Sequence, residues 1–169
     1  KLFKVDEYLQ IAAFIMYGDT EITKHAAAKL LEKAPEIDIM LTSASKSIPL
    51  IYEMARQINA SDYVVALKDQ KVYMENPVTA DVNSITTLKK QQLWLGSDDV
   101  AKLDGKRVLI VDDVISTGES LKALERLAAK AGGEVVGKMA VLAEGDSFDR
   151  TDITVLAKLP LFDSEGNIR

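Results

Sequence analysis

Val108 to Ser120 read VLIVDDVISTGES, and this stretch decides the fold. Val108, Leu109, Ile110 and Val111 form a continuous apolar run, as in strands buried on both faces of a parallel sheet. Asp112 and Asp113 then emerge at the carboxyl end of that strand, where ligands sit in open α/β sheets. Ser116, Thr117, Gly118, Glu119 and Ser120 lead into an amphipathic helix, Leu121 to Ala129. The backbone N–H groups of that turn can converge on an anion, helped by the helix dipole. Gly118 is expected to serve the tight turn and the close approach of phosphate oxygens. An acidic pair beside an anion loop suits a sugar phosphate.

Outward from this stretch, strand and helix patterns alternate. The first 36 residues are expected to hold two helices that cap the core: Val5 to Met16, and a second capped by Asp19 or Thr20 with Ile22, Ala26 and Leu30 at helical spacing. Ile37 to Leu41 reads as a short strand. Ser47 and Pro49 open a helix to about Ile58, and Tyr63 to Leu67 is the next strand. Val78 to Thr86 and Gln91 to Leu95 are extended segments joined by polar Thr87 to Lys90, a hairpin or mobile arm. After the strand ending at Val111, the helix runs to near Lys130 and stops at Gly132 and Gly133. Val135 to Leu142 and Ile153 to Leu156 supply two more strands. The alternation implies an α/β fold around a mainly parallel sheet flanked by helices.

Composition sets further bounds. With 169 residues and 47% apolar side chains, the chain suits one well-buried domain. The expected division is a hood segment over 1–36, a core over 37–158 and a tail over 159–169. No stretch reaches the roughly 18 apolar residues of a membrane span, and Ile11 to Met16 is too short for a signal-peptide core. The absence of cysteine excludes disulfides and thiolate metal sites and fits a cytoplasmic protein. A net charge of −5 argues against a nucleic-acid partner.

Two rival acidic-strand motifs fail. A Walker B element requires a Gly-x-x-x-x-Gly-Lys-Ser/Thr loop, which the chain lacks. A receiver-domain pair would end the first strand, whereas this pair follows more than a hundred residues. Elsewhere, His25 lies in a helix pattern and reads as structural or exposed, Trp94 as packing in the arm, and Asp98 with Asp99 as a turn.

VLIVDDVISTGES closely resembles the phosphoribosyl-pyrophosphate (PRPP) binding motif of type I phosphoribosyltransferases, with apolar strand, acidic pair, Thr-Gly turn and helix start in order. The tail AGGEVVGKMAVLAEG and the segments between agree along most of the chain, most resembling the adenine and xanthine branch. The resemblance implies a type I fold with a small hood and a flexible β-arm. It also implies a homodimer, Mg²⁺, and transfer of a 5-phosphoribosyl group from PRPP to a purine base, adenine first, in purine salvage. Asp112 and Asp113 match the acidic pair that holds ribose hydroxyls and arranges Mg²⁺ through water, and Ser116 to Ser120 match the 5′-phosphate loop. Ser45, Lys46 and Ser47 match the pyrophosphate loop, Lys68 and Lys71 resemble basic residues reaching the pyrophosphate, and Thr86, Thr87, Lys89 and Lys90 fall in the arm. On this reading Asp112, Asp113, Lys46 and Lys68 form the catalytic set. The chain departs from the pattern at Leu67, where many relatives carry arginine, and at Ser43 to Ser45, which hold no acidic residue. Those departures motivate the rival expectation of a PRPP-binding regulator without turnover; a transferase for xanthine or a pyrimidine is a further alternative.

Overall fold

A computed structural model describes residues 1–82 and 91–169. In chain order the elements are β1 (Leu2–Lys4), β2 (Gln10–Ala12), α1 (Thr20–Leu31), β3 (Ile39–Ser43), α2 (Ile48–Gln57), β4 (Val64–Ala66) and β5 (Val78–Val82). They continue with β6 (Gln91–Leu95), α3 (Ser97–Leu103), β7 (Arg107–Ile115), α4 (Glu119–Lys130), β8 (Glu134–Glu144), β9 (Thr154–Leu159) and β10 (Leu161–Phe162), with a 3-10 turn at Gly145–Asp149.

The centre is a five-stranded sheet in the order β4-β3-β7-β8-β9, parallel throughout. Strand periodicity of two sorts its apolar residues into two cores. Ile39, Leu41, Val108 and Ile110 pack with Leu121, Leu124 and Leu127 of α4 and with Leu93 and Leu95 of the β5–β6 hairpin. Met40, Leu109 and Val111 face the other way, onto Ala27 and Leu30 of α1 and Leu50, Ile51 and Met54 of α2. Because both faces are covered, the strands read as apolar runs rather than alternations, which confirms the expected α/β fold with flanking helices.

The chain leaves β3 for β4 on one side and later returns to β7 on the other, so connections diverge between β3 and β7. A crevice opens at the carboxyl ends of strands at such a point. Pairing between these two strands stops at Leu41↔Ile110, whereas β7 stays paired with β8 as far as Ile115↔Ala143. Asp112 and Asp113 therefore lie within β7 rather than at its end, on the edge that β3 no longer covers.

Several local expectations are corrected. Val5 to Met16 is not a helix: β1 and β2 pair antiparallel, Leu2↔Ala12 to Lys4↔Gln10, and β10 joins them. The Asp6 carboxylate captures the N–H groups of Tyr8 and Leu9 at 2.7 and 2.9 Å, closing a turn in place of a helical one. Only the second expected helix forms there, as α1, capped by Asp19, whose Oδ1 accepts the Ile22 N–H. Asp98 and Asp99 stand in the first turn of α3, where carboxylates suit the helix dipole, and not in a plain turn. The expected hairpin is present as β5 paired with β6, Val78↔Leu95 to Val82↔Gln91. Thr86, Thr87, Lys89 and Lys90 lie outside the described residues.

Candidate active site

The crevice is walled by two loops. Ser43 to Ser47 connects β3 to α2, and Ser116 to Ser120 connects β7 to α4. One cavity is lined by Ser45, Lys46, Ser47 and Lys68 together with Val82, Gln91 and Gln92 of the hairpin; the next is lined by Ile115 to Leu121. Asp112, Val114 and Ser120 line both, so the acidic strand forms the shared wall.

Ser47 organises that wall. It stands at the N-cap of α2 but makes no capping bond with its side chain. Its hydroxyl instead donates to Asp112 Oδ1 at 2.6 Å and accepts the Asp113 N–H at 3.0 Å. Nearby, the Thr42 hydroxyl donates to the Val111 carbonyl at 2.6 Å, fastening β3 to β7 where ladder pairing has ended. Both bonds are buried, where a hydrogen bond to a carboxylate is stronger than one in water.

The two carboxylates are nearly inaccessible, Asp112 at 8% and Asp113 at 2% exposure. Burial pushes the Asp112 carboxyl up to about 7, and the neighbouring Asp113 charge acts in the same direction, while the Ser47 hydroxyl pulls it down. Lys46 Nζ lies 3.0 Å from Asp113 Oδ2, at ion-pair distance. Among the described residues that oxygen nevertheless has no donor in hydrogen-bond geometry, so its charge is balanced while its lone pairs stay undirected. A buried carboxylate oxygen in that condition fits a ribose hydroxyl, or a water on Mg²⁺, a hard cation that keeps part of its hydration shell.

Lys68 is placed on the Lys46 side of the cavity, beside the hairpin. Leu67 and Trp94 exchange backbone bonds, Leu67 N–H to the Trp94 carbonyl at 3.0 Å and the reverse at 2.8 Å, docking β6 beside the end of β4. Trp94 thus has a docking position through its backbone. Ser45 accepts a hydrogen bond from the Tyr17 hydroxyl at 2.8 Å. Lys71 is not brought to the cleft; it sits exposed between β4 and β5. His25 is exposed on α1.

In the second loop, Gly118 has φ +78° and forms the N-cap of α4, with its carbonyl accepting the Lys122 N–H at 2.9 Å. A Cβ at this position would collide with Arg150 Nη1. The requirement for glycine comes from the left-handed backbone and from this arginine behind the loop. Glu119 pairs with Lys122 at 2.8 Å. The Ser116 hydroxyl is already committed, donating to Glu144 Oε2 at 2.6 Å. Thr42, Glu144, Ser147 and Arg150 were not legible as site residues, since no motif or spacing marks them.

An open parallel sheet with an anion loop and an acidic pair at its switch point defines an α/β protein built to take a phosphorylated ligand. Residues 5–158 match the family model for the phosphoribosyl transferase domain, and the chain belongs to that family. An adenine phosphoribosyltransferase of Thermosipho africanus is 34% identical over 139 residues, 80% of this chain and 76% of that one. A hypoxanthine/guanine phosphoribosyltransferase of Methanotorris igneus is 28% identical over 128 residues, 75% and 66% of the two chains. The purine biosynthesis transcriptional repressor PurR of Bacillus subtilis is 31% identical over 114 residues, 68% of this chain and 39% of the repressor. Among solved structures, adenine phosphoribosyltransferase of Rhodothermus marinus superposes with a TM-score of 0.69 at 26% identity, covering 84% of this chain and 82% of that one.

Proposed function

We propose that this protein transfers a 5-phosphoribosyl group from PRPP to a purine base, adenine first, releasing pyrophosphate. The observation that carries the reading is the single cleft in which Asp112 and Asp113 stand between a phosphate loop and a second loop bearing Lys46, with Lys68 beside it. The reaction breaks the bond from ribose C1 to the pyrophosphate oxygen and forms one from C1 to a base nitrogen, which gives up its proton. Backbone N–H groups of Ser116 to Ser120, with the Thr117 and Ser120 hydroxyls, hold the 5′-phosphate at the start of α4. Asp112 and Asp113 accept the ribose hydroxyls and support positive charge developing on the sugar. Lys46 exchanges Asp113 for the leaving pyrophosphate, and Lys68 neutralises it from the other side. Asp112 and Asp113 would hold Mg²⁺ through water, and the ion would supply electrostatic stabilisation of the departing phosphates. The arm residues Thr86, Thr87, Lys89 and Lys90 are assigned to excluding water from the cleft. No side-chain nucleophile is needed.

The working form is a homodimer in the cytoplasm, a reading supported by the family resemblance and by a sequence without cysteine. Among the described residues no helix is long and apolar enough to cross a membrane. Two observations favour a second reading, a PRPP-responsive regulator: Lys46 rests on Asp113, and a repressor stands among the relatives. A panel assay with PRPP and Mg²⁺ against adenine, guanine, hypoxanthine, xanthine, orotate and uracil separates the two. The enzyme reading expects pyrophosphate release with a purine, fastest with adenine; PRPP binding without turnover on any base sinks it.

A further inference from the structure

We infer that the segment Glu144 to Asp152, which joins β8 to β9, is a brace that holds the phosphate loop in its anion-binding form, with Arg150 as its principal positioning residue. The inference rests on the PRPP reading above and assigns roles to residues outside the motif that carries it.

Three side chains of this segment reach the back of the loop. The Ser147 hydroxyl donates to the Ser116 carbonyl, and Glu144 Oε2 accepts the Ser116 hydroxyl at 2.6 Å. Arg150 Nη1 fills the space beside Gly118 that any other residue's Cβ would need. Ser116 and Gly118 are therefore each held from outside, with exposed Thr117 between them. The Ser116 hydroxyl is correspondingly a support rather than a phosphate donor, because it donates to Glu144, which leaves the backbone N–H for the phosphate.

Arg150 is itself anchored. Its Nε and Nη2 grip Asp152 at 2.9 and 2.8 Å, and Asp152 also accepts Lys138 Nζ at 2.7 Å. Lys138 of β8 reaches Glu125 on α4 at 2.8 Å, so the network runs from Gly118 at the start of α4, through the β8–β9 connection and β8, back to the same helix. Two carboxylates balance two cations, so the brace acts by geometry more than by added positive charge. An anion loop whose N–H groups already converge loses less freedom when it binds, and that surplus appears as affinity. The guanidinium's planar fork is the part lysine cannot reproduce, since an ammonium offers a point charge without the paired grip on Asp152.

Calorimetric binding of two probes, ribose 5-phosphate and Mg²⁺-pyrophosphate, tests this in wild type, Arg150→Ala and Arg150→Lys, with thermal unfolding of each. Both variants are expected to bind ribose 5-phosphate about tenfold more weakly, a difference near 1.4 kcal/mol, while pyrophosphate binding at the opposite loop is unchanged. Should Arg150→Ala not fold, Arg150→Lys carries the same comparison. Wild-type affinity for ribose 5-phosphate in the folded variants, or equal loss of both probes, overturns the brace. A wild-type protein that binds neither PRPP nor ribose 5-phosphate overturns the PRPP reading beneath it, a result distinct from the other two.

Discussion

Replacing Ser47 with alanine probes how the two halves of the cleft are joined. Ser47 is 2% exposed, and its hydroxyl donates to Asp112 Oδ1 at 2.6 Å and accepts the Asp113 N–H at 3.0 Å. The Asp113 N–H also reaches Asp112 Oδ1 at 2.9 Å, so the substitution orphans no donor. What disappears is one charge-assisted bond to a buried carboxylate, worth about 1.5–3 kcal/mol. Ser47 also opposes the burial that keeps Asp112 protonated, so its loss lowers the ionised fraction available to a ribose hydroxyl. Taking the lower end of that range, ribose 5-phosphate should bind about tenfold more weakly. Metal-free pyrophosphate, which meets the Lys46 side of the loop without needing Asp112, should bind as before. Isothermal calorimetry with both probes gives the answer. An unchanged ribose 5-phosphate affinity, or a loss confined to pyrophosphate, would refute the reasoning and return the hydroxyl to direct pyrophosphate binding.

Gly118→Ala must place a side chain at φ +78° and push aside Arg150, so it should cost about 2 kcal/mol and lower the melting temperature by roughly 4–8 °C. A differential scanning trace superposable on wild type would contradict that. Asp112 gives a pH signature. Its carboxyl is raised from 3.8 to about 7, so its favourable contribution to folding is full below about pH 3.8 and is lost as pH rises through about 7. Melting curves from pH 5 to 8 should therefore show wild type losing stability relative to Asp112→Asn, with parallel curves counting against burial as the cause. Gly137→Ala serves as a control far from the ligand: its Cβ would meet Leu109 Cδ1 at 2.9 Å and Pro35 Cγ at 3.0 Å. It should destabilise by about 1–3 kcal/mol through overpacking, with ribose 5-phosphate affinity intact in the folded fraction.

Much of this architecture could be read before any coordinates. The run from Val108 to Val111 announced a strand covered on both faces, and the order of strand, acidic pair, small-residue turn and helix pointed to the crevice beside β7 as the candidate ligand site. The N-terminal hairpin was hidden because Val5, Leu9 and Ala12 match helical spacing, while the deciding factor is one aspartate side chain capturing two backbone N–H groups. Likewise, Ser47 reads as an ordinary helix cap. Its diversion to Asp112 depends on β3 and β7 being neighbours, a tertiary fact that no local pattern encodes. Arg150 was invisible for the same reason, since its relation to Gly118 exists only once the β8–β9 connection folds over the phosphate loop. Lys71 resembled a ligand by position along the chain, yet the β4–β5 connection holds it away from this cleft.

The central claim, that the acidic pair between the two loops is a PRPP site, is tested most directly by titrating Mg²⁺-PRPP into wild type and into the Asp112→Asn, Asp113→Asn double variant. The account predicts saturable binding by wild type and loss of most of that affinity in a double variant that remains folded by circular dichroism. Equal affinity in the two proteins would contradict it.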